Sequence, residues 1–157
     1  MLLEVAEKLD QWIATENVAL RGDGSVLAPC RIRILGQMAL FEQHVQLHLV
    51  ATQDVDAVGD YENAVERELA RLLRARGKEL DPLAREAWMP KDTQYRRLFT
   101  GTFVKLDVAE PEAVLISKAL KAPAKNRALI TEYLAQGASE RFLALANRYK
   151  LNLEEFL

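Results

Sequence analysis

The sequence contains little of what marks secreted, zinc-binding or membrane proteins. It has a single cysteine, Cys30, which excludes an internal disulfide and a C-x-x-C zinc site. Both absences fit a reducing cytosol. The chain has no apolar run of about 18 residues, and charges interrupt the N-terminal segment where a signal peptide would be apolar. We therefore expect a cytoplasmic protein without a membrane-spanning segment.

An excess of basic charge is also missing. The chain has 21 Lys and Arg residues against 23 Asp and Glu residues, so its formal net charge is -2. Because a duplex-DNA binder normally carries a strong basic excess, we expect no binding to duplex DNA. A nucleotide ligand remains compatible, since it needs only local positive charge. The 157 residues, of which 50% are hydrophobic, are enough for one domain with a sizeable core.

Hydrophobic periodicity predicts mixed helices and strands before residue 110 and only helices after it. The expected helices of the first part are 1–16, 37–44 and 62–76. The expected strands are 30–35, 48–58 and two within 95–108 that join near Gly101, with a turn at 21–25 and an irregular piece between Pro82 and Pro90. The expected helices of the second part are 111–121, 124–136, 138–149 and 152–156. We thus predict an α+β fold, in which a small mixed sheet with flanking helices (1–110) carries a C-terminal helical extension (111–157).

Three aspartates form the most informative chemical pattern. Asp54 and Asp56 are separated by one residue, so on a strand their carboxylates face the same side. Asp107 lies on another predicted strand and faces away from Leu106, which allows it to point into the same cleft. Converging carboxylates bind hard divalent cations such as Mg²⁺, and such sites serve phosphoryl transfer. The pattern predicts a magnesium site at Asp54, Asp56 and Asp107.

A family resemblance extends this prediction over residues 30–108. A strand that ends in glycine at Gly36, a short helix, the Asp54-Val55-Asp56 triplet and the Leu106-Asp107-Val108 strand resemble the minimal nucleotidyltransferase (DNA polymerase β-like) superfamily. The resemblance implies a sheet of the nucleotidyltransferase type with a helical tail, as in bacterial members, some of which are toxin–antitoxin components. It also implies Mg²⁺-dependent transfer of a nucleotidyl group from a nucleoside triphosphate to an acceptor hydroxyl, on RNA or a protein partner.

The same resemblance assigns roles to individual residues. Asp54, Asp56 and Asp107 would be the catalytic and metal-binding carboxylates, with Asp107 acting as the base toward the acceptor. Gly36, Gln37 and Lys118 would contact the nucleotide. Two features favour an alternative, a catalytically degenerate interaction module on the same fold. Gln37 stands where the family has Ser or Gly, and the segment from Gly36 to Asp54 is longer than usual.

Simpler structural roles compete with each of these interpretations. Asp54 and Asp56 could be a solvated strand end, and the chain could be a helical adaptor whose acidic strands are incidental. The basic residues near the start of the tail could be an ordinary solvated face, as could Arg31 and Arg33. His44 and His48 lie four residues apart, but they lack the His-Glu-x-x-His arrangement of zinc proteases.

Overall fold

A computed structural model describes residues 1–20 and 26–157 of the chain. The turn expected at 21–25 lies outside the described residues. The described part contains a five-stranded mixed sheet with the strand order β3-β2-β1-β5-β4. The strands are β1 (Cys30–Leu35), β2 (Asp54–Gly59), β3 (Glu79–Leu80), β4 (Tyr95–Thr100) and β5 (Val104–Ala109). Strand β1 pairs antiparallel with β2 and parallel with β5.

Six α-helices accompany the sheet in the described part of the chain. They are α1 (Leu2–Leu20), α2 (Gly36–Glu42), α3 (Asn63–Arg74), α4 (Pro111–Lys121), α5 (Arg127–Ala135) and α6 (Glu140–Arg148). Two short 3₁₀ turns lie at Ala84–Glu86 and Leu153–Phe156. The α+β class expected from the sequence is confirmed. No helix among the described residues has both the length and the apolar character needed to cross a lipid bilayer.

One face of the sheet is covered by α1 and α3. Alternate residues of the strands point to this face, as the period of two requires, and pack on leucines and valines of both helices. Ile34 of β1 pairs in register with Ala57 of β2 and with Val108 of β5, and all of these are buried. The same apolar core continues into the tail, because Ile116 and Phe142 are fully buried members of it.

The opposite face of the sheet carries the charged residues. Arg33 of β1 pairs in register with Val58 of β2 and Asp107 of β5, and Leu35 pairs with Asp56. Residues opposite each other in neighbouring strands share a face, so this second face contains every aspartate that the sequence pattern selected. Helix α4 lies over the end of this face near Leu35, where Val114 and Lys118 line a cleft with Asp56.

The structure differs from the sequence-based elements at a few boundaries. The strand expected at 48–58 begins only at Asp54, because the preceding segment is held by bonds to α5 instead of pairing with the sheet. The backbone N–H of His48 donates to Glu132, and Gln136 donates to the carbonyl of Gln46. A short strand, β3, was not expected at all, since two residues show no hydrophobic periodicity.

Candidate functional site

The candidate site lies where β2 begins. Asp54 and Asp56 occupy alternate positions of that strand, so both carboxylates project from the charged face, as predicted. Asp54 is exposed and Asp56 is half-buried. The backbone N–H of Asp54 donates to the hydroxyl of Thr52 at 3.2 Å, and this bond fixes the start of the strand. Both carboxylates line a cleft with a volume of about 520 Å³.

Gly36 contacts Asp56 at the junction of β1 and α2. Its φ of +62° is one that L side chains rarely adopt, and a Cβ placed there would lie 2.2 Å from Oδ2 of Asp56. The backbone conformation favours glycine here, and a Cβ would in addition displace the Asp56 carboxylate. The contact also shows that the long 37–53 connection does not separate Gly36 from the acidic pair, because Leu35 and Asp56 are register partners.

Asp81 is the third carboxylate of the cleft, and sequence reasoning missed it. Its backbone N–H donates to the carbonyl of Val55 at 3.0 Å, which extends the parallel β2–β3 pairing by one residue and brings Asp81 beside Asp56. Its Oδ1 accepts from the N–H of Leu83 at 2.9 Å, so the turn at Pro82 holds the carboxylate in place. The available signal was Leu80-Asp81-Pro82, an apolar residue and an acid that follow the helix-ending Gly77.

The proximity of these acids perturbs the titration of Asp56. Burial, a hydrogen bond with Asp81 and the charge of Asp81 together raise the pKa of the Asp56 carboxyl from 3.8 to about 6, and Asp54 adds to the rise. The charge of Lys118 opposes it. Two facing carboxylates need a proton or a cation between them, so this pair is suited to bind a metal ion or to exchange a proton near neutral pH.

Two lysines supply positive charge on the other side of the same cleft. Lys118 comes from the last turn of α4 and Lys125 from the segment between α4 and α5, and both line the cleft with Asn126. Burial lowers the pKa of the Lys118 ammonium, while the charge of Asp56 works against this effect. The same cleft is thus lined by carboxylates and ammonium groups, a combination that can hold a metal ion and a phosphate chain together.

Gln37 lies at the edge of the cleft but its side chain is already engaged. Its amide group donates to the carbonyl of Val50 at 3.1 Å and so ties the 43–53 segment to α2. The predicted nucleotide contact by Gln37 therefore has to be made by its other groups or after this bond opens.

Asp107 does not join the other acids, which corrects the predicted Asp54, Asp56 and Asp107 triad. It lies on the expected face, but β1 stands between β5 and β2. The residue is 5% exposed, and its carboxylate forms an ion pair with Arg97 and lies 3.7 Å from the Nε of Arg31. A buried carboxylate with guanidinium partners is a structural ion pair, and those partners occupy the oxygens that a metal ion would need.

The donor set of the cleft suits Mg²⁺ in part. No group of three or more Asp, Glu, His or Cys side chains within residues 1–20 and 26–157 is close enough to complete a metal centre. Magnesium, however, is usually held by one or two carboxylates and completes its shell with water and substrate phosphates. Asp56 with Asp81 or Asp54 meets that lower requirement, so the residues present fit a metal ion that arrives with its phosphates.

Comparison with known proteins leaves the identity of the chain open. It matches no protein-family model, no curated protein and no solved structure. Any functional conclusion therefore depends on the geometry of the cleft itself.

Proposed function

We propose that the cleft binds a magnesium–nucleoside triphosphate and transfers its nucleotidyl group to an acceptor hydroxyl. The observation that carries the proposal is the meeting of Gly36, Asp56 and Asp81 at one end of the sheet, opposite Lys118. Glycine at this point leaves room for the Asp56 carboxylate. The carboxylates supply hard oxygen ligands, and the lysines supply charge for the phosphates. The nucleotidyltransferase resemblance of the 30–56 segment supports the same chemistry.

Each residue of the cleft has a separate role in the proposed reaction. Asp56 and Asp81 would hold the metal ion, which when bound neutralises phosphate charge and aligns the reacting oxygens. Lys118 and Lys125 would bind the β- and γ-phosphates. The acceptor oxygen forms a bond to the α-phosphorus, the bond from that phosphorus to the bridging oxygen of the β-phosphate breaks, and pyrophosphate leaves. Asp54, the exposed carboxylate of the same cleft, would take the proton of the acceptor hydroxyl.

The open part of the charged face favours an acceptor that itself carries phosphates, such as RNA. Arg31, Arg33 and Lys105 are exposed there, beyond the acidic end of the sheet. Arg31 is a register partner of Lys105, so these side chains share the face of Asp56. The guanidinium of Arg33 stacks over the ring of Tyr95 at 4.3 Å, which orders it at the surface.

Isothermal titration with each of the four ribonucleoside triphosphates in the presence of magnesium tests the proposal. We expect heat with at least one triphosphate, and loss of that heat in Asp56→Asn and Asp81→Asn. Asp107→Asn is the matched control, because it removes an acid from the same sheet face without touching the cleft. The absence of heat with every triphosphate would contradict the proposed function.

The engaged amide of Gln37 favours a second candidate, a catalytically degenerate interaction module such as a toxin–antitoxin component. In this case the cleft would be a remnant and the partner a protein. The substitutions Asp54→Asn and Asp56→Asn would then leave the biological phenotype unchanged. Mixing the chain with the product of a neighbouring gene would give a stable complex on a sizing column, whereas the enzyme would need no such partner.

A further inference from the structure

The cleft continues past Gly36 and Asp56 into a second space with different chemistry. This second lobe has a volume of about 250 Å³ and shares Asp56, Lys118 and Lys125 with the acidic cleft. Its remaining walls are mainly apolar, and they include the half-buried Trp88 and Met89. The carboxylates and lysines therefore stand between a polar lobe and a lobe with an aromatic wall.

Trp88 is held in a defined position. The hydroxyl of Ser117 on α4 donates to its carbonyl at 2.6 Å. The indole ring packs edge-to-face on Tyr149, with 5.4 Å between ring centroids and an angle of 82°. The hydroxyl of Tyr149 in turn donates to Asp92 at 3.0 Å and accepts from the N–H of Lys91 at 3.0 Å. The backbone of Trp88 is thus held by Ser117 and its ring by Tyr149 before any ligand arrives.

Lys121 marks a face of this ring that a ligand can reach. Its ammonium lies 5.1 Å from the ring centroid, and the side chain is exposed. A flexible lysine is easily displaced from such a position, because its four-carbon stem can swing and its charge is satisfied equally well by a phosphate. A flat group that enters the lobe can replace the ammonium on the indole face.

We propose that the second lobe binds the base of the nucleoside triphosphate, stacked on Trp88. The inference rests on the proposed function, since it uses the same lysines for the phosphates. An aromatic wall, a thioether and cations along one edge match a nucleotide, which has a flat apolar base joined to a polyanion. Lys118 and Asp56 line both lobes, so the α-phosphate would come to rest beside Asp56 when the base reaches Trp88.

The chain has two tryptophans, which makes fluorescence a direct test. Trp12 lies on α1, which covers the opposite face of the sheet. Trp12→Phe leaves Trp88 as the only tryptophan, and Trp88→Phe leaves Trp12. We expect the magnesium complex of the bound triphosphate to quench the tryptophan fluorescence of Trp12→Phe and to leave that of Trp88→Phe unchanged. Inorganic tripolyphosphate, which has no base, should leave the emission of Trp12→Phe nearly unchanged.

Titration calorimetry gives the second measurement. Removing a base-stacking ring weakens binding by roughly tenfold. The affinity of Trp88→Ala for the nucleoside triphosphate should therefore fall by that amount, while its affinity for inorganic tripolyphosphate should stay unchanged. Trp12→Phe needs no change at Trp88, so the fluorescence test stands even if Trp88→Ala does not fold.

The outcomes separate the two proposals. Calorimetric binding of a triphosphate without quenching of Trp12→Phe overturns the base subsite and leaves the proposed function standing. An equal loss of affinity for both ligands in Trp88→Ala assigns Trp88 a purely structural role and also overturns the subsite. A complete absence of triphosphate binding to the unmodified chain overturns both proposals.

Discussion

Two acids on one face of the sheet differ in what surrounds them. Asp107 is buried between the guanidinium groups of Arg97 and Arg31, so its charge is balanced inside the protein. Asp56 faces another acid, Asp81, and its pKa rises to about 6 as a result of burial and this neighbour. The charge of Asp107 is neutralised by groups of the protein, which makes it part of the fold. The charge of an acid beside another acid is neutralised only when a proton or a cation binds. The acid of the second kind, Asp56, belongs to the candidate site.

Removal of the balanced acid should have the largest effect on folding. Asp107→Ala leaves Arg97 and Arg31 without their buried partner, and the loss should be about 1–3 kcal/mol, between the values for exposed and buried ion pairs. It stays below the cost of a fully buried pair because the side chains of Arg97 and Arg31 are 37% and 47% exposed and water solvates them. The free energy of unfolding, measured in urea, would report the loss. Asp54→Ala, which removes an exposed acid, is the control, and equal losses in the two variants would contradict the distinction.

A glycine comparison tests the space that Asp56 requires. Gly36→Ala and Gly77→Ala both force a side chain onto a positive φ, at +62° and +72°, and each should cost about 1–2 kcal/mol. Only Gly36→Ala also places a Cβ against Asp56, since nothing lies within 4 Å of the same atom at Gly77. We therefore expect an additional loss of stability and of magnesium–nucleotide binding in Gly36→Ala alone. Identical unfolding curves and unchanged binding would show that Asp56 does not fill this space.

The pH dependence of stability tests the acid pair without any ligand. The folded state binds the Asp56 proton more tightly than the unfolded chain does, so this group's contribution is complete below pH 3.8 and is lost as pH rises through about 6. In Asp56→Asn no proton is released here, so the free energy of unfolding should not fall in this pH range. In metal-free buffer at about pH 7.5 we expect the variant to melt roughly 3 °C higher than the unmodified chain. At about pH 4 the difference should nearly vanish, and a difference that is the same at both pH values would contradict the pairing.

The smallest expected effect concerns the segment that forms the rim of the cleft. Glu132 accepts from both the backbone N–H and the ring Nδ1 of His48, at 3.0 and 2.9 Å. Because the His48 side chain is almost fully exposed and Glu132 is only partly buried, Glu132→Gln should lower stability by only about 0.5 kcal/mol. The amides of residues 47–53 should nevertheless exchange with deuterium faster. Glu154→Gln, far along the chain, serves as the control, and unchanged exchange at 47–53 would show that Glu132 does not hold the segment.

Local sequence patterns predicted the parts of the site that depend on local geometry. Gly36 at a strand end and the alternate aspartates of β2 needed only the rules for turns and strands. The face of Asp107 was also predicted, because alternation along β5 determines it. Its neighbours were not, since the order of strands in a sheet depends on pairing between distant segments. Nothing in Leu106-Asp107-Val108 indicates that β1 lies between β5 and β2.

Asp81 was missed because the strand beside it is too short to be recognised in the sequence. Strand β3 has two residues, too few to show alternation, and its place beside β2 follows from backbone bonds such as that from the Glu79 N–H to the Gln53 carbonyl, at 2.7 Å. The clear alternation in β5 therefore led us to assign the third carboxylate to Asp107 on that strand. Trp88 shows the same limit, because its relation to the cleft depends on how α4 packs and on the bond from Ser117.

Manganese binding measured by electron paramagnetic resonance tests the distinction between the Asp56–Asp81 pair and Asp107 most directly. Mn²⁺ replaces Mg²⁺ at oxygen sites, and the signal gives the concentration of the unbound ion. The titration would compare the unmodified chain with Asp56→Asn, Asp81→Asn and Asp107→Asn, each with the bound triphosphate present. We expect Asp107→Asn to bind manganese like the unmodified chain, and the other two variants to lose the site. Retention of the site in Asp81→Asn together with its loss in Asp107→Asn would contradict the assignment.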